Sequence, residues 1–167
     1  MTKEEFITVL KEKNYSYEME GDKIIVTYGR WVNLNVLETL PSGVEFKNGG
    51  SVYLSNLKTL PPGVEFKNKG DVYLNDLKTL PSGVEFGNNR NIYLNGLKTL
   101  PSGVEFKNGG WVDLENLEAI PPGVAFNNGG SVYLKGLGWV NDNEGIRIEG
   151  VENRKLLHLM IKQGVFI

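Results

Sequence analysis

Cysteine is absent from the 167 residues, which excludes disulfides, thiol chemistry and Cys-ligated zinc. Histidine occurs once, at His158, so imidazole acid–base chemistry has a single candidate. Basic residues are not in excess: 18 Lys and Arg face 20 Asp and Glu, for a net charge of −2. Nucleic-acid binding draws most of its affinity from phosphate neutralisation by cations, so no nucleic-acid partner is expected. No apolar run approaches the roughly 20 residues of a membrane-spanning helix. The opening Met1-Thr2-Lys3-Glu4-Glu5 is charged where a secretory signal turns apolar, so a cytoplasmic location without membrane contact is expected. What the chain has in quantity is glycine, 21 residues, together with 40% hydrophobic residues that suffice to bury a core.

The glycines belong to a repeat with a period of 20. Blocks begin at Trp31, Ser51, Asp71, Asn91, Trp111 and Ser131, with no insertion between residues 31 and 140. Each block holds two short alternating segments, of the form Val-x-Leu and Val-x-Phe, and alternation of period two marks a strand with one buried face. Two strands per turn of a coiled ribbon follow. All seven prolines, at 41, 61, 62, 81, 101, 121 and 122, follow the same leucine or isoleucine position or its proline, and Gly43, Gly63, Gly83, Gly103 and Gly123 come next. Proline presets φ and glycine supplies positive φ, so Leu-Pro-x-Gly is a turn. A second corner carries Asn48, Asn68, Asn88, Asn108 and Asn128, whose stacked amides could bond to the backbone or to one another.

The inward residues of one turn are Val52, Leu54, Leu57, Leu60, Val64 and Phe66. Burying six side chains returns less than the conformational entropy lost in ordering 20 residues, so one turn cannot fold alone and only stacking closes the gap. The fold class is therefore mainly β: a repeat solenoid of 20 residues per rung with short N- and C-terminal capping helices. Residues 1–30 form an N-terminal cap, 31–150 a six-rung solenoid and 151–167 a C-terminal capping helix, all in one structural domain. Thr2 with Glu5 makes a capping box ahead of the apolar stripe Phe6, Val9 and Leu10, and this helix ends near Asn14. Tyr15, Tyr17 and Met19 alternate before a turn at Gly21-Asp22, and Ile24 and Val26 fall 20 residues ahead of Val44 and Phe46. At the other end Ile146 and Ile148 resemble a last Val-x-Phe strand, followed by a helix with Leu156, Leu159 and Met160 that Gly164 stops. Covering both ends is expected, because open sheet edges invite aggregation.

The phrase Asn75-Asp76-Leu77-Lys78-Thr79-Leu80-Pro81 on a 20-residue period resembles the short leucine-rich repeats of bacterial proteins, which run N-x-L-x-x-L-P. The likeness covers about residues 31–140. Gly70 stands at one of the usual leucine positions, Val72-Tyr73-Leu74 shortens the usual strand, and the Val-Glu-Phe strand is additional. A curved horseshoe and a straighter two-sheet β-solenoid both stay open at this point. The resemblance implies protein binding through the stacked strand face.

Positions that never vary between turns hold the scaffold, whereas outward positions that vary are where a partner is read. The outward side of the first strand carries Trp31, Asn33 and Asn35, then Ser51, Tyr53 and Ser55, then Asp71, Tyr73 and Asn75. It continues through Asn91, Tyr93 and Asn95 to Trp111, Asp113 and Glu115, and to Ser131, Tyr133 and Lys135. Aromatics give contact area at little rotamer cost, and small polar residues adapt their hydrogen bonds. The candidate partner-binding residues are therefore Trp31, Tyr53, Tyr73, Tyr93, Trp111 and Tyr133. The competing explanation is that Tyr53, Tyr73 and Tyr93 stack on one another and only stabilise the sheet. The second strand's outward side pairs Glu45 with Lys47, Glu65 with Lys67 and Glu105 with Lys107, and is expected to be a solvated, charge-compensated surface.

Sites for chemistry are sparse. His158 shares a helical face with Arg154 and Lys162 and is expected to be solvated. No nucleophile elbow occurs, the Gly49-Gly50 and Gly109-Gly110 pairs lack the ending of a phosphate loop, and Asp142 with Glu144 lacks full calcium-loop spacing. Neither cofactor nor metal is expected. The leading expectation is a non-enzymatic module that binds another protein, with pairing of two copies through the flat strand face also open. A phage- or mobile-element-borne inhibitor that occludes a host defence complex, and a carbohydrate-binding solenoid, are the alternatives.

Overall fold

The computed structural model describes residues 1–118, 120, 121 and 123–134, together with the backbone of 138–140. Helix α1, Lys3–Glu12, starts at the expected capping box. The Thr2 hydroxyl accepts from the Glu5 N–H at 3.2 Å, and the Glu5 carboxylate accepts from the Thr2 N–H at 2.8 Å. Phe6 and Leu10, one turn apart on the same side, are fully buried. The helix is followed by Asn14 at φ 55°, a conformation that Asn tolerates better than other L-residues. Strands β1, Tyr17–Glu20, and β2, Lys23–Val26, then form an antiparallel hairpin around Gly21.

From there the chain winds. Strand β3, Val32–Asn33, begins one sheet, and β4, Val44–Phe46, pairs with β2 in the other, Ile24 beside Val44 and Val26 beside Phe46. Sheet A comprises β1, β2 and β4, then Glu65–Phe66, Glu85–Phe86, Glu105–Phe106 and Ala125–Phe126. Sheet B comprises β3, then Val52–Tyr53, Val72–Tyr73, Ile92–Tyr93, Val112–Leu114, Val132–Leu134 and Gly138–Val140. Between turns the pairing is parallel and offset by one repeat, Val52 beside Val72 and Phe46 beside Phe66. The fold is thus a two-sheet β-solenoid of about five turns.

The interior is a column of identical layers. Val52, Leu54, Leu57, Val64 and Phe66 have no exposed surface and Leu60 is 6% exposed. Phe46, Phe66, Phe86, Phe106 and Phe126 stack with ring centroids 5.2–5.5 Å apart and nearly parallel planes. Phe6, Leu10, Ile24 and Val26 join the same core, so the helix and hairpin seal its first layer.

Both corners are held by backbone geometry. The glycine after each proline turn, from Gly43 to Gly123, lies at φ 71–81°, where a side chain is disfavoured. At the asparagine corner the amides bond to backbone, not to one another. The Asn68 Nδ2 donates to the carbonyls of Gly70 at 3.0 Å and Asp71 at 3.3 Å in its own turn, and to Gly50 at 3.0 Å in the turn before. Asn88 and Asn108 repeat the pattern, and Asn128 reaches back to Gly110 at 3.0 Å. Each buried amide therefore rivets two turns, with three acceptors fixing which side of the amide faces them. The backbones approach so closely here that a Cβ on Gly70 would lie 2.3 Å from the Ser51 nitrogen.

Among the described residues five turns carry both strands and the sixth contributes Val132–Leu134, the second strand expected for it at Ile146 and Ile148 lying outside the described residues. Where earlier turns continue Lys-Thr-Leu-Pro, the chain has Gly138-Trp139-Val140-Asn141, and without the proline it forms a strand antiparallel to Val132–Leu134, Tyr133 beside Trp139. Lys135, Asp142, Glu144, Ile146, Ile148, Leu156, His158, Leu159, Met160 and Gly164, with the proposed closing helix at 151–167, lie outside the described residues.

Asn68→Ala leaves the Gly50, Gly70 and Asp71 carbonyls short of a donor at a fully buried site, and is expected to cost about 1–3 kcal/mol in denaturant unfolding. Lys69→Ala, at the next, exposed position, is expected to change stability by no more than about 0.5 kcal/mol.

Candidate functional site

The outer faces of the two sheets differ in chemistry. On sheet A the glutamates fall in register, Glu45 beside Glu65 and Glu65 beside Glu85. Lysines interleave with them: Lys23 contacts Glu45 and lies 2.6 Å from Glu65, Lys47 is 3.0 Å from Glu45, Lys67 pairs with Glu65, and Lys107 is 2.8 Å from Glu105. The face is charge-compensated as expected, but Glu45 is not solvated, being only 2% exposed. Burial alone would push its carboxyl up; the hydrogen bonds from Lys23 and Lys47 and the charge of Lys67 outweigh that and hold it below the usual range. The signal missed in the sequence is Lys23, which belongs to the hairpin and not to the repeat.

Gly87 stands where other turns have Lys47, Lys67 and Lys107, and the missing side chain leaves a shallow cavity of about 220 Å³ between Glu85, Glu105 and Lys107. Among the described residues no three metal-capable side chains cluster, and no helix is long and apolar enough to cross a membrane.

Sheet B presents the aromatic residues. Trp31 is 55% exposed and meets Tyr53 edge-on, with ring centroids 6.2 Å apart and planes at 88°. Tyr53, Tyr73 and Tyr93 stack face to face at 4.7 and 4.6 Å, with planes within 3°. These spacings equal the distance between neighbouring strands, so the stack follows directly from the in-register repeat. The four residues Trp31, Tyr53, Tyr73 and Tyr93 thus form one continuous run. It stops at the next turn, where Asp113 lies beside Tyr93 on one side and Tyr133 on the other. Trp111, 39% exposed, stands two residues before Asp113 on the same strand face.

Several polar residues around the stack have structural partners. Ser51 Oγ accepts from the Asp71 N–H at 3.1 Å, Asp71 Oδ1 from the Asn91 N–H at 3.0 Å, and Asn91 Oδ1 from the Trp111 N–H at 3.0 Å. This line bonds the second, third and fourth turns each to the one that follows, so its variation among Ser, Asp and Asn reflects interchangeable acceptors. Asn35 Oδ1 accepts from the Ser55 N–H at 2.7 Å in the same manner. Burial, with the Asp71 carboxylate beside it, pushes the Tyr73 phenol up to about 12. Burial also raises the Asp113 carboxyl, although the Glu115 N–H donates to its Oδ1 at 3.2 Å and the Asn95 side chain favours its charged form.

No protein-family model, no curated protein and no solved structure matches the chain.

Two titrations probe these faces. Glu45 contributes stability that is present above its unfolded value of about 4.3 and is lost as pH falls through its lower folded value. Glu45→Gln is therefore expected to destabilise by about 1.5–3 kcal/mol at neutral pH, with the penalty fading in acid, as read from urea midpoints across pH. On sheet B, the folded chain keeps a Tyr73 proton that the unfolded chain gives up from about pH 10, so stability falls as pH rises from about 10 to 12. Ultraviolet titration of the native protein is expected to show a phenol ionising near pH 12 that Tyr73→Phe removes.

Proposed function

We propose that the chain is a non-enzymatic protein-binding module of leucine-rich-repeat type that captures a partner protein on the outer face of sheet B. The observation that carries this reading is the exposure of Trp31 and Trp111 on the same face as the tyrosine stack, 55% and 39% respectively. Large aromatic side chains left in water cost solubility and return it when a partner covers them, which is why they concentrate at the centres of interfaces. The stack between them is rigid, so little rotamer entropy is lost on contact. Carboxylates at Asp71, Asp113 and Glu115 border the aromatics, which favours a protein partner over a nucleic acid. The Asn75-x-Leu77-x-x-Leu80-Pro81 phrase, with Leu77 and Leu80 buried, supports the leucine-rich-repeat assignment. A cytoplasmic setting accords with the absence of cysteine.

Trp31→Ser combined with Trp111→Ser is expected to lower stability by about 0.5–1.5 kcal/mol, the edge-on contact of Trp31 with Tyr53 being lost, and to abolish capture of the partner from native lysate while the chain stays folded. Tyr73→Ser with Tyr93→Ser is expected to lower both stability and capture, since each stacked pair contributes about 0.5–1.5 kcal/mol. Undiminished capture by the tryptophan double variant would overturn the assignment of this face.

A further inference from the structure

The glutamates of sheet A are served unevenly. Around Glu45 and Glu65 three ammonium groups gather: Lys23 contacts Glu45 and lies 2.6 Å from Glu65, Lys47 is 3.0 Å from Glu45, and Lys67 bonds Glu65 and lies 3.8 Å from Glu45. Two turns further along, the repeat places Glu85 and Glu105 on neighbouring strands in the same way, Phe86 beside Phe106, with only Lys107 to serve them, 2.8 Å from Glu105. Glycine takes the other two places: Gly87 stands where the first pair has Lys47, and Gly63 where it has Lys23. The Asn127 amide donates to Glu105 at 2.6 Å, whereas Glu85 is exposed and makes no ion pair or side-chain hydrogen bond among the described residues.

The other cations nearby do not make good the deficit. Lys107 is held above its usual range chiefly by its hydrogen bond to Glu105 and by that carboxylate's charge, with a smaller pull from Glu85. Lys69 and Arg90, exposed at the asparagine corner, pair with neither glutamate. On the proline side Lys98 lies 3.0 Å from Glu118, and Lys78 acts on Asp76. The space beside Glu85 is also open. A cavity of about 220 Å³ runs over Gly83, Glu85, Gly87, Gly103, Glu105 and Lys107. Nothing in the backbone demands glycine at 87: its φ is not positive, and an added Cβ would meet only the Phe66 carbonyl oxygen at 3.7 Å, an ordinary contact. Gly70, where an added Cβ would lie 2.3 Å from the Ser51 nitrogen, shows the opposite case.

We propose that this cavity seats a lysine side chain of another protein, its ammonium entering between Glu85 and Glu105 as that of Lys23 does between Glu45 and Glu65. The chain thus carries the filled form of the seat two turns before the open one. Two carboxylates against one ammonium leave a charge of −1 on the walls, which a single incoming ammonium neutralises; a diamine would bring a second with no carboxylate left for it. The glycines present bare backbone along which the methylenes of a lysine stem can lie. An exposed ion pair holds a free amine only weakly, so the seat serves as one contact of a larger interface in which the lysine is already tethered. It lies on sheet A and does not depend on the reading of sheet B.

Two measurements on the full chain test this. In heteronuclear NMR titrations a Gly-Lys-Gly peptide blocked at both ends is expected to shift the Gly83, Gly87 and Gly103 amide signals saturably, the same peptide with norleucine in place of lysine to leave them unmoved, and cadaverine to bind no more tightly than the lysine peptide. Glu85→Gln is expected to weaken the lysine peptide about three- to fivefold, Gly87→Lys to abolish its shifts at Gly83 and Gly103 by filling the seat, and Glu38→Gln, exposed at the opposite corner, to change nothing. In urea unfolding, Gly87→Lys is expected to raise the midpoint more than Gly87→Met does, and the difference to vanish when Glu85→Gln accompanies both. Equal shifts by the lysine and norleucine peptides, undiminished lysine-peptide binding by Gly87→Lys, or a Lys–Met difference that survives Glu85→Gln would overturn the proposal. Tighter binding of cadaverine would reassign the seat to a free amine, and a dimer in solution that Gly87→Lys dissociates would reassign it to a second copy; either overturns its assignment to another protein. The tryptophan double variant is expected to bind the peptide as the parent chain does, so the failure of one face is told apart from the failure of the other.

Discussion

Each turn has to lie directly on the one before it, residue over residue, because no turn buries enough to stand alone. The structure meets this requirement with three kinds of contact at one spacing. Backbone bonds link neighbouring turns within each sheet, as in Leu54 N–H to the Tyr73 carbonyl at 2.9 Å and Lys67 N–H to the Phe46 carbonyl at 2.8 Å. Identical apolar side chains stack in the core. Asparagine amides tie corner to corner, and they do so where glycines let the chains approach too closely for a side chain. A slip of one residue would move Val and Phe outward and strand five asparagines without their carbonyls, so register is specified at every layer.

That same constraint shapes the outer surface. A residue type repeated every 20 positions becomes a column, and a column of like groups is tolerable only under certain chemistries. Tyrosines tolerate it by stacking. Glutamates tolerate it on sheet A because Lys23, Lys47 and Lys67 interleave with Glu45 and Glu65. Asp and Asn on the line Ser51, Asp71, Asn91 tolerate it because each accepts a backbone N–H from the next turn. Breaks in a column are correspondingly informative: Gly87 opens a shallow cavity on one face and Asp113 removes a ring on the other.

The first end of the column shows how the repeat is started. The hairpin supplies Ile24 and Val26 to the same register as Val44 and Phe46, and α1 places Phe6 and Leu10 on the layer they complete. Lys23, at the start of β2, then reaches two turns along sheet A to Glu65, so the cap is tied electrostatically to the repeat as well as packed on it. Tyr15 adds a further tie on the opposite side, its hydroxyl accepting from the Asn33 N–H at 3.0 Å.

The period, the inward set Val52, Leu54, Leu57, Leu60, Val64 and Phe66, the glycine turns, the capping box and the hairpin register were legible in the sequence. Each is a local signal repeated or reinforced at fixed spacing, and repetition converts a weak preference into a strong one. The aromatic ladder was legible as a pattern of positions, including Asp113 among the tyrosines. Three things depended on the folded chain. The destination of the asparagine amides, backbone rather than one another, follows from carbonyls that converge only when two turns are stacked. Burial of Glu45 follows from Lys23, a residue of the hairpin that no period links to it. The antiparallel return of Gly138–Val140 replaces the expected continuation of the sixth turn because the proline that would have turned the chain is missing. The sequence alone therefore determined which residues face in and how often the chain turns, since these depend on spacing along the chain. Only the tertiary structure decided which polar groups meet, since that depends on distances between turns that spacing does not contain.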